Sequence, residues 1–424
     1  MFRSIVNAKK DVAVLDLGTN TICAAIAKGG EKGSSENLLG LEHAIRVLGV
    51  GYQLAKGINK NSITSLDALE ESILGAISSA EKEAQKSIKS VLVALPTWAF
   101  ESTAIETAIN IGQLPVDDVH LNSLMNFDAS KYLDRSREIV HIFPIAYSID
   151  ESYGIQDPIG MVGEKLSAIF HVMTCHSSLL KNIKNCLTNN NIEISGFISS
   201  TYASILAVTL DEEISPGVTL IDIGGTITSI ACVHEGALLY LGYIPVGSQN
   251  ITNDIAMVLR TTKTNAERLK ILYGIAANST IEDESILVSR IDEYGEEHIQ
   301  NVSKNTLDSI TSDRLEELLE LIQKHLSECG ADEFLRQRII ITGGGSRLSG
   351  LNEFIKSKKY FNNASVRLGK PIGTTGSHDF VKTPSFASAA GSVIYCLGDF
   401  ANKKLSTSGK TTWQRVIMWI KRGI

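Results

Sequence analysis

Residues 218–233 read VTLIDIGGTITSIACV, and residues 12–26 read VAVLDLGTNTICAAI. Each stretch is an apolar, β-rich run ending in an aspartate, then a turn of glycine and threonine, then a second β-rich run. Asp16 and Asp222 hold the same place in the two copies. A strand, a tight turn of small residues and a returning strand spell a β-hairpin. Glycine lets the main chain approach a ligand closely, so the N–H groups of such a turn can converge on phosphate oxygens. A carboxylate at the end of the first strand suits magnesium, which takes few carboxylates and fills its shell with water and phosphate. One such turn is an ordinary Gly-Thr hairpin. Two matched copies, one per half of the chain, predict two similar lobes closing over a nucleotide, each offering one phosphate loop.

Two further motifs extend the pattern. In RQRIIITGGGSRLSGLNEFIKS (336–357), a strand over Ile339–Thr342 runs into Gly343-Gly344-Gly345 and then a helix with Leu348, Leu351 and Ile355 on one face. Such a junction permits close backbone approach and offers helix N-terminal N–H groups to a polar ligand. In Asn265-Ala266-Glu267-Arg268-Leu269-Lys270, on a predicted helix, Glu267 and Lys270 share a face. That pair suits contact with ribose and base, or is an ordinary solvated ion pair at i,i+3 spacing.

Composition bounds the rest. At roughly 100–200 residues per domain, 424 residues make two to four compact domains. With 43% hydrophobic, 21% charged and 6% aromatic residues, the chain is neither disordered nor fibrous. No stretch approaches about 18 consecutive apolar residues, and MFRSIVNAKKDVAVLDLG does not read as a secretory signal. The six cysteines show neither a CxxC pair nor a Cys-His spacing for zinc, so buried free thiols in a reducing cytosol are expected. The net charge of −7 hides an asymmetry: Ala401–Ile424 carries Lys403, Lys404, Lys410, Arg415, Lys421 and Arg422 and no acidic residue. An acidic body argues against nucleic-acid binding, while a basic tail suits an anionic surface.

In order along the chain, these motifs resemble the actin-like ATPase superfamily, which includes actin, heat-shock chaperones, sugar kinases and bacterial filament proteins. The first phosphate loop is similar to Asp16-Leu17-Gly18-Thr19-Asn20, the second to Asp222-Ile223-Gly224-Gly225-Thr226, and the adenosine loop to Gly343-Gly344-Gly345-Ser346-Arg347. IVHIFPIAYSID (139–150), FHVMTCHSSLLKNIKNC (170–186), AERLKILYG (266–274) and the tail TTWQRVIMWIKRGI (411–424) resemble the FtsA family of bacterial cell-division proteins specifically. The resemblance implies an α/β, actin-like (ribonuclease H-like) two-domain ATPase fold with an inserted α+β subdomain and a C-terminal amphipathic helix. It implies ATP and Mg²⁺, held by Asp16, Gly18, Thr19, Asn20, Gly224, Gly225, Thr226, Glu267, Lys270, Gly343, Gly344, Gly345 and Arg347. Asp222 is expected to orient Mg²⁺ and the attacking water, with Asp16 as its counterpart. The partners it implies are the C-terminal peptide of FtsZ, further copies of the chain in a filament, other divisome proteins and anionic membrane lipid. The expected location is the cytoplasmic side of the bacterial inner membrane at the division site.

The expected organisation is a first domain over 10–88, with strands near 11–18, 21–28 and 38–50 and a helix across 62–87. Its apolar stripe is Ile63, Leu66, Leu69, Ile73, Ile77 and Ala80. An inserted subdomain over 89–165 follows, starting with VLVALP (91–96). The first domain is expected to resume over 166–200, with a strand at 166–175, a helix from Ser177 and a strand near Ile192–Ile198. The second domain is expected over 201–378, with a peripheral part at 275–330 that in the family captures the FtsZ peptide. A small-residue helix within 379–400 returns to the first domain, and a polar linker, 401–410, leads to the tail.

At about 100° per residue, Trp413, Val416, Ile417, Ile420 and Ile424 fall on one side of a helix, flanked by Trp419, with Arg415, Lys421 and Arg422 opposite. Tryptophans on the apolar side and cations on the other suit an interfacial membrane helix, the three cations adding about 3 kcal/mol. Docking on its own domain or on a partner is the alternative. The second loop departs from the family pattern: Thr226 stands in place of a third glycine, and Ser229 in place of a second carboxylate. ATP binding is therefore expected more strongly than ATP hydrolysis. The rival readings are a sugar kinase or polyphosphatase on the same fold, and a cell-shape or pilus-assembly relative.

Overall fold

In the computed structural model, residues 11–29, 45–127, 132–214, 216–276, 284–291, 294–328, 338–358, 360–361, 364–376 and 378–397 are described. Both predicted hairpins form. β1 (Val12–Leu17) and β2 (Thr21–Gly29) open the first lobe, joined by β3 (Ile45–Leu54), helix α1 (Leu66–Ala84) and β4 (Ser90–Leu95). Then follow β5 (Phe100–Asn110), α2 (Asp118–Met125), β6 (Arg137–Ile149), β7 (Ser152–Ile155), β8 (Lys165–His176), α3 (Ser177–Thr188) and β9 (Glu193–Ser199). Helices α4 (Ser200–Val208) and α5 (Asp211–Ile214) lead to the second hairpin, β10 (Val218–Ile223) and β11 (Thr228–His234), and to β12 (Ala237–Ile244). The rest of that lobe is α6 (Ser248–Val258), α7 (Lys263–Tyr273), β13 (Ser285–Ile291), β14 (Glu297–Ser303), α8 (Lys304–Glu328), β15 (Arg338–Thr342), α9 (Leu351–Lys358) and β16 (Ser365–Leu368). β17 (Thr374–Thr375) and α10 (Ala387–Leu397) return the chain to the first lobe.

The two main sheets share one plan. Strands run in the order β17-β3-β2-β1-β4-β9 in one and β12-β11-β10-β15-β16 in the other. In each, the hairpin is antiparallel and the next two strands add parallel to its first member. Register repeats as well, Asp16 lying opposite Cys23 and Asp222 opposite Ser229. Because strand side chains alternate between faces, the neighbours of each aspartate fix where it points. Leu15 and Leu17 pack with Leu69, Ile73 and Ile183 from α1 and α3 on the outer face. Val14 and Leu220, in phase with the aspartates, pack instead with Ala203, Ala207, Ala390 and Val393 of α4 and α10 between the lobes. Both carboxylates are thereby turned toward the space between the sheets.

Helix α1 is shorter than the expected 62–87: Ser65 caps it by accepting the Ala68 N–H, which leaves Ile63 ahead of the helix. Leu69, Ile73 and Ile77 bury the core side of the predicted stripe, at about 2 kcal/mol for each large side chain. Leu66, at 40% exposure, lies outside the core.

Two subdomain boundaries differ from expectation. VLVALP does not open the insertion: β4 is paired between β1 and β9 in the first sheet. The strand expected to resume the first domain, 166–175, instead lies at the centre of the inserted sheet as β8, along β5 on one side and β6 on the other, in the order β5-β8-β6-β7. A twelve-residue strand buried on both faces bonds wherever two long partners reach it, and β5 and β6 run its full length. Pro144 within β6 sits where the register shifts, as a proline inside a sheet requires. The acidic stretch read as a peripheral subdomain contributes the β13–β14 hairpin ahead of α8. Residues 398–424, and with them the whole predicted membrane helix, lie outside the described residues, as does Cys329. Cys23, Cys175, Cys186, Cys232 and Cys396 are free thiols.

A buried ion cluster ties the connection after α4 to the second sheet. Glu213, 1% exposed, receives Arg367 Nε at 2.7 Å and Nη2 at 2.5 Å, Arg338 Nη1 at 3.3 Å and the Leu210 N–H at 2.8 Å. Burial alone would push its carboxyl up; the Arg367 fork and the Leu210 amide more than offset this and hold it below the usual range. Removing one partner of such a cluster strands a buried charge. Arg367→Met is expected to lower stability by about 3 kcal/mol, read as a shift in urea midpoint at constant m; a shift equivalent to under 1 kcal/mol would show that Arg338 alone suffices.

Candidate functional site

The duplicated turns meet at the mouth of a cleft of about 500 Å³ between the lobes. Asp16, Gly18, Thr19 and Asn20 line it from the first lobe, and Asp222, Gly224, Gly225, Glu267, Lys270, Gly343, Gly344, Gly345 and Arg347 from the second. Every expected nucleotide residue is there except Thr226. Its hydroxyl is buried without a hydrogen-bond partner and is not part of the lining, so the residue replacing a third glycine turns its side chain away from the cleft.

The turns nearly touch. A Cβ built on Gly225 falls 2.4 Å from the Cβ of Asn20 in the opposite lobe, so the close approach requires glycine. From behind, the Ser248 and Gln249 N–H groups at the start of α6 donate to the Gly224 and Gly225 carbonyls at 2.9 and 2.7 Å. The Gly224 N–H closes the turn on itself by donating to the Ile227 carbonyl at 2.9 Å.

The GGG motif differs from the expected strand–helix junction. Gly343 adopts φ +85°, and a Cβ there would stand 2.2 Å from Asp222 Oδ1, so only glycine fits both conformation and space. A short 3₁₀ turn, Gly344–Arg347, follows, and α9 begins only at Leu351, leaving Leu348 ahead of it. Gly350, at φ +75°, separates the two. Close approach is retained, but the α-helix N-terminus is displaced from the glycines.

Asp16 and Asp222 form the floor. Burial pushes Asp16 up to about 7, with the Ser388 hydroxyl opposing the shift and the charge of Asp222 adding to it. Burial pushes Asp222 up to about 6, against the hydrogen bond that Ser204 donates to Oδ2 at 2.9 Å. Two enclosed like charges with a glycine-lined opening above them favour a cation brought in with anionic oxygens. The residues therefore fit a magnesium–phosphate group. Asp16 and Asp222 would hold it, and the bound metal would neutralise phosphate charge.

Glu267 and Lys270 form the i,i+3 ion pair that their spacing allowed, with Lys270 largely buried rather than solvated. Lys270 Nζ lies 2.7 Å from Glu267 Oε2, and the pair lines the cleft. Thr252 of α6 fixes it, accepting from Lys270 at 2.8 Å and donating to Glu267. Sequence reasoning missed the serines on α4 and α10 beside the carboxylates. It also missed Tyr52 and Phe380, whose rings lie 4.7 Å apart in the lining, and Ile271 beside Lys270. Only the small-residue character of 383–398 hinted at Ser388.

Duplicated lobes closing on paired aspartates and three glycine turns define the actin-like two-lobed class. Two solved structures share the fold: a "PilM-PilN type IV pilus biogenesis complex" (TM-score 0.63, 14% identity, covering 92% of this chain and 99% of that one) and MreB5 of Spiroplasma citri bound to ADP (TM-score 0.54, 14% identity, 94% and 100%). Within that class, the chain belongs to the FtsA family of cell division proteins. The family description "Cell division protein FtsA" matches residues 219–391, and "SHS2 domain inserted in FTSA" matches 99–174. Over 385 residues it is 32% identical to the cell division protein FtsA of Rhizobium meliloti (strain 1021), covering 91% of this chain and 86% of that protein. Identity to the Escherichia coli (strain K12) protein of that name is 27%, covering 98% and 96%. Membership supports an actin-like role in cell division.

Proposed function

We propose that this chain binds Mg-ATP between its lobes and polymerises on the cytoplasmic face of the inner membrane, where it ties the FtsZ ring to the bilayer and helps recruit septal wall-synthesis proteins. The observation that carries the nucleotide part is the convergence of Gly18–Asn20, Gly224–Gly225 and Gly343–Gly345 above Asp16 and Asp222 in one cleft. The fold relatives from Spiroplasma citri, described as bound to ADP and to AMPPNP, lend support. Hydrolysis is slow in this reading, because Ser229 supplies no second carboxylate. The inserted sheet serves contacts with further copies and divisome proteins, and the β13–α8 region takes the FtsZ C-terminal peptide. Among the described residues no helix is long and apolar enough to cross a membrane. Attachment is assigned to 411–424, through Trp413, Val416, Ile417, Trp419 and Ile420 in the acyl region and Arg415, Lys421 and Arg422 at anionic headgroups. A single short helix holds weakly, and several on one polymer hold firmly.

The test has two arms. Titration calorimetry with Mg-ATP is expected to show binding that Asp222→Ala weakens at least tenfold; an unchanged isotherm removes the site. Deleting Thr411–Ile424 is expected to abolish co-sedimentation with vesicles containing phosphatidylglycerol while leaving ATP affinity intact. Continued co-sedimentation would refute the anchor.

A further inference from the structure

Beneath the phosphate turns, three hydroxyls from three elements meet. Thr97 follows β4 in the first lobe, Thr201 lies in the first turn of α4, and Ser229 sits on β11 in the second lobe, opposite Asp222. They are 2%, 0% and 5% exposed, so water does not compete for their bonds. Thr97 Oγ1 donates to Ser229 Oγ at 2.8 Å and lies 2.5 Å from Thr201 Oγ1.

Counting protons gives the network a direction. A hydroxyl has one proton to donate. Thr97 spends its proton on Ser229, so the contact between Thr97 and Thr201 is donated by Thr201. Ser229 then accepts from Thr97 and keeps its own proton, and it lines the cleft. The chain of bonds runs from Thr201 through Thr97 to Ser229 and leaves the Ser229 proton for an acceptor in the cleft. Each bond polarises the next and strengthens that donor.

We propose that Ser229 donates a hydrogen bond to the terminal phosphoryl group of a bound nucleoside triphosphate, with Thr97 and Thr201 as positioning residues. This rests on the nucleotide-binding reading above and adds to it the group that distinguishes triphosphate from diphosphate. Ser229 and Asp222 face each other across the hairpin behind the second turn. The hydroxyl therefore reaches the end of the phosphate chain that approaches the carboxylates. Because the network joins both lobes, a terminal phosphate engaged there also braces the closed cleft.

The experiment titrates the full chain with Mg-ATP and Mg-ADP by calorimetry, with thermal melts confirming that each variant folds. Ser229→Ala is expected to weaken ATP binding about tenfold, as loss of a hydrogen bond to a charged group implies, and to change ADP binding less than twofold. Ser229→Thr keeps the hydroxyl and is expected to restore the preference for ATP. Thr97→Val keeps the volume but has no proton to give. It is expected to lose about threefold in ATP affinity and to add nothing in the Ser229→Ala background. Equal effects of Ser229→Ala on both nucleotides, or none, overturn the proposal. Independent, additive losses from Thr97→Val overturn the positioning role. If the unmodified chain binds ADP yet Ser229→Ala leaves ATP affinity unchanged, only this proposal falls. If the unmodified chain binds neither nucleotide, the underlying reading falls with it.

Discussion

Gly391→Ala is expected to destabilise the protein by about 4 kcal/mol, although alanine is the better helix former. In the interior of a helix the exchange is intrinsically favourable by about 1 kcal/mol. At Gly391 of α10, however, a Cβ would stand 1.6 Å from the Ala203 carbonyl oxygen of α4 and 2.3 Å from its carbonyl carbon. Those are backbone atoms of a helix buried over Ala203–Val208, so no side chain can swing aside, and α4 and α10 must separate. Separation disturbs the shared core of Ala203, Ala207, Ala390, Val393 and Phe386. Overpacking of that kind costs 1–3 kcal/mol where neighbours yield and more where they cannot. The same two helices carry Ser204 and Ser388, which flank the aspartates, so loss of Mg-ATP affinity is expected to accompany the fall in stability. Gly75→Ala in α1 is the control: its Cβ would meet only the flexible Gln53 side chain at 3.0 Å. That variant is expected to be neutral or more stable by up to about 1 kcal/mol. Chemical denaturation of both variants checks the contrast, and equal midpoints would contradict the crossing geometry.

The hairpins were legible because their signal is local. Alternation, aspartate and glycine lie within about sixteen residues, and the duplicate removes the ambiguity of a single turn. Membership of a sheet is less local. β4 and β8 are both apolar and buried on both faces, so periodicity cannot say which sheet holds them, and the insertion boundary shifted at each. The spacing of Leu348, Leu351 and Ile355 fits a helix, but Gly350 at positive φ breaks it, and the glycine motif opens a 3₁₀ turn instead. Thr201 and Ser229 lie 104 and 132 positions from Thr97 in sequence, and the three become neighbours only through the tertiary fold. No composition or spacing rule finds such a cluster, nor the pairing of Tyr52 with Phe380. What sequence did supply was the identity of Ser229 as an oddity, and the structure shows what that serine touches.

Acid is expected to loosen the seat of the inserted sheet, because two buried histidines there cannot take up a proton. His141 on β6 and His171 on β8 are 2% and 0% exposed. His141 packs among Phe143, Tyr202 and Tyr395, with ring centroids 5.2, 5.7 and 6.1 Å away, where the insertion meets α4 and α10. Its Nε2 accepts the Ser199 N–H at 3.3 Å, so a proton added there would face a donor. His171 Nδ1 donates to the Leu238 carbonyl of β12 at 2.8 Å, and its Nε2 is buried without a partner. Burial pushes His141 down to about 3, with the nearby His171 adding to the shift. It pushes His171 down to about 4 against the Leu238 bond. The unfolded chain protonates near 6.5 and the folded chain only near 3 to 4, so the unfolded state binds more protons in between. Stability from these rings is therefore intact above about 6.5 and falls as pH drops through the window, at about 1.4 kcal/mol per pH unit for each ring. Asp16 and Asp222, raised by burial, act in the opposite sense as pH falls below about 7, so the pH profile of the unmodified protein alone does not isolate the histidines. The informative quantity is the difference from His141→Gln, whose amide oxygen can still accept the Ser199 N–H but does not titrate. Urea denaturation of both proteins from pH 7.5 to 5 is expected to show the gap between them narrowing toward acid by about 1.4 kcal/mol per pH unit below 6.5, as the unmodified protein loses stability faster. Parallel curves would mean that His141 takes up its proton in the folded state without cost.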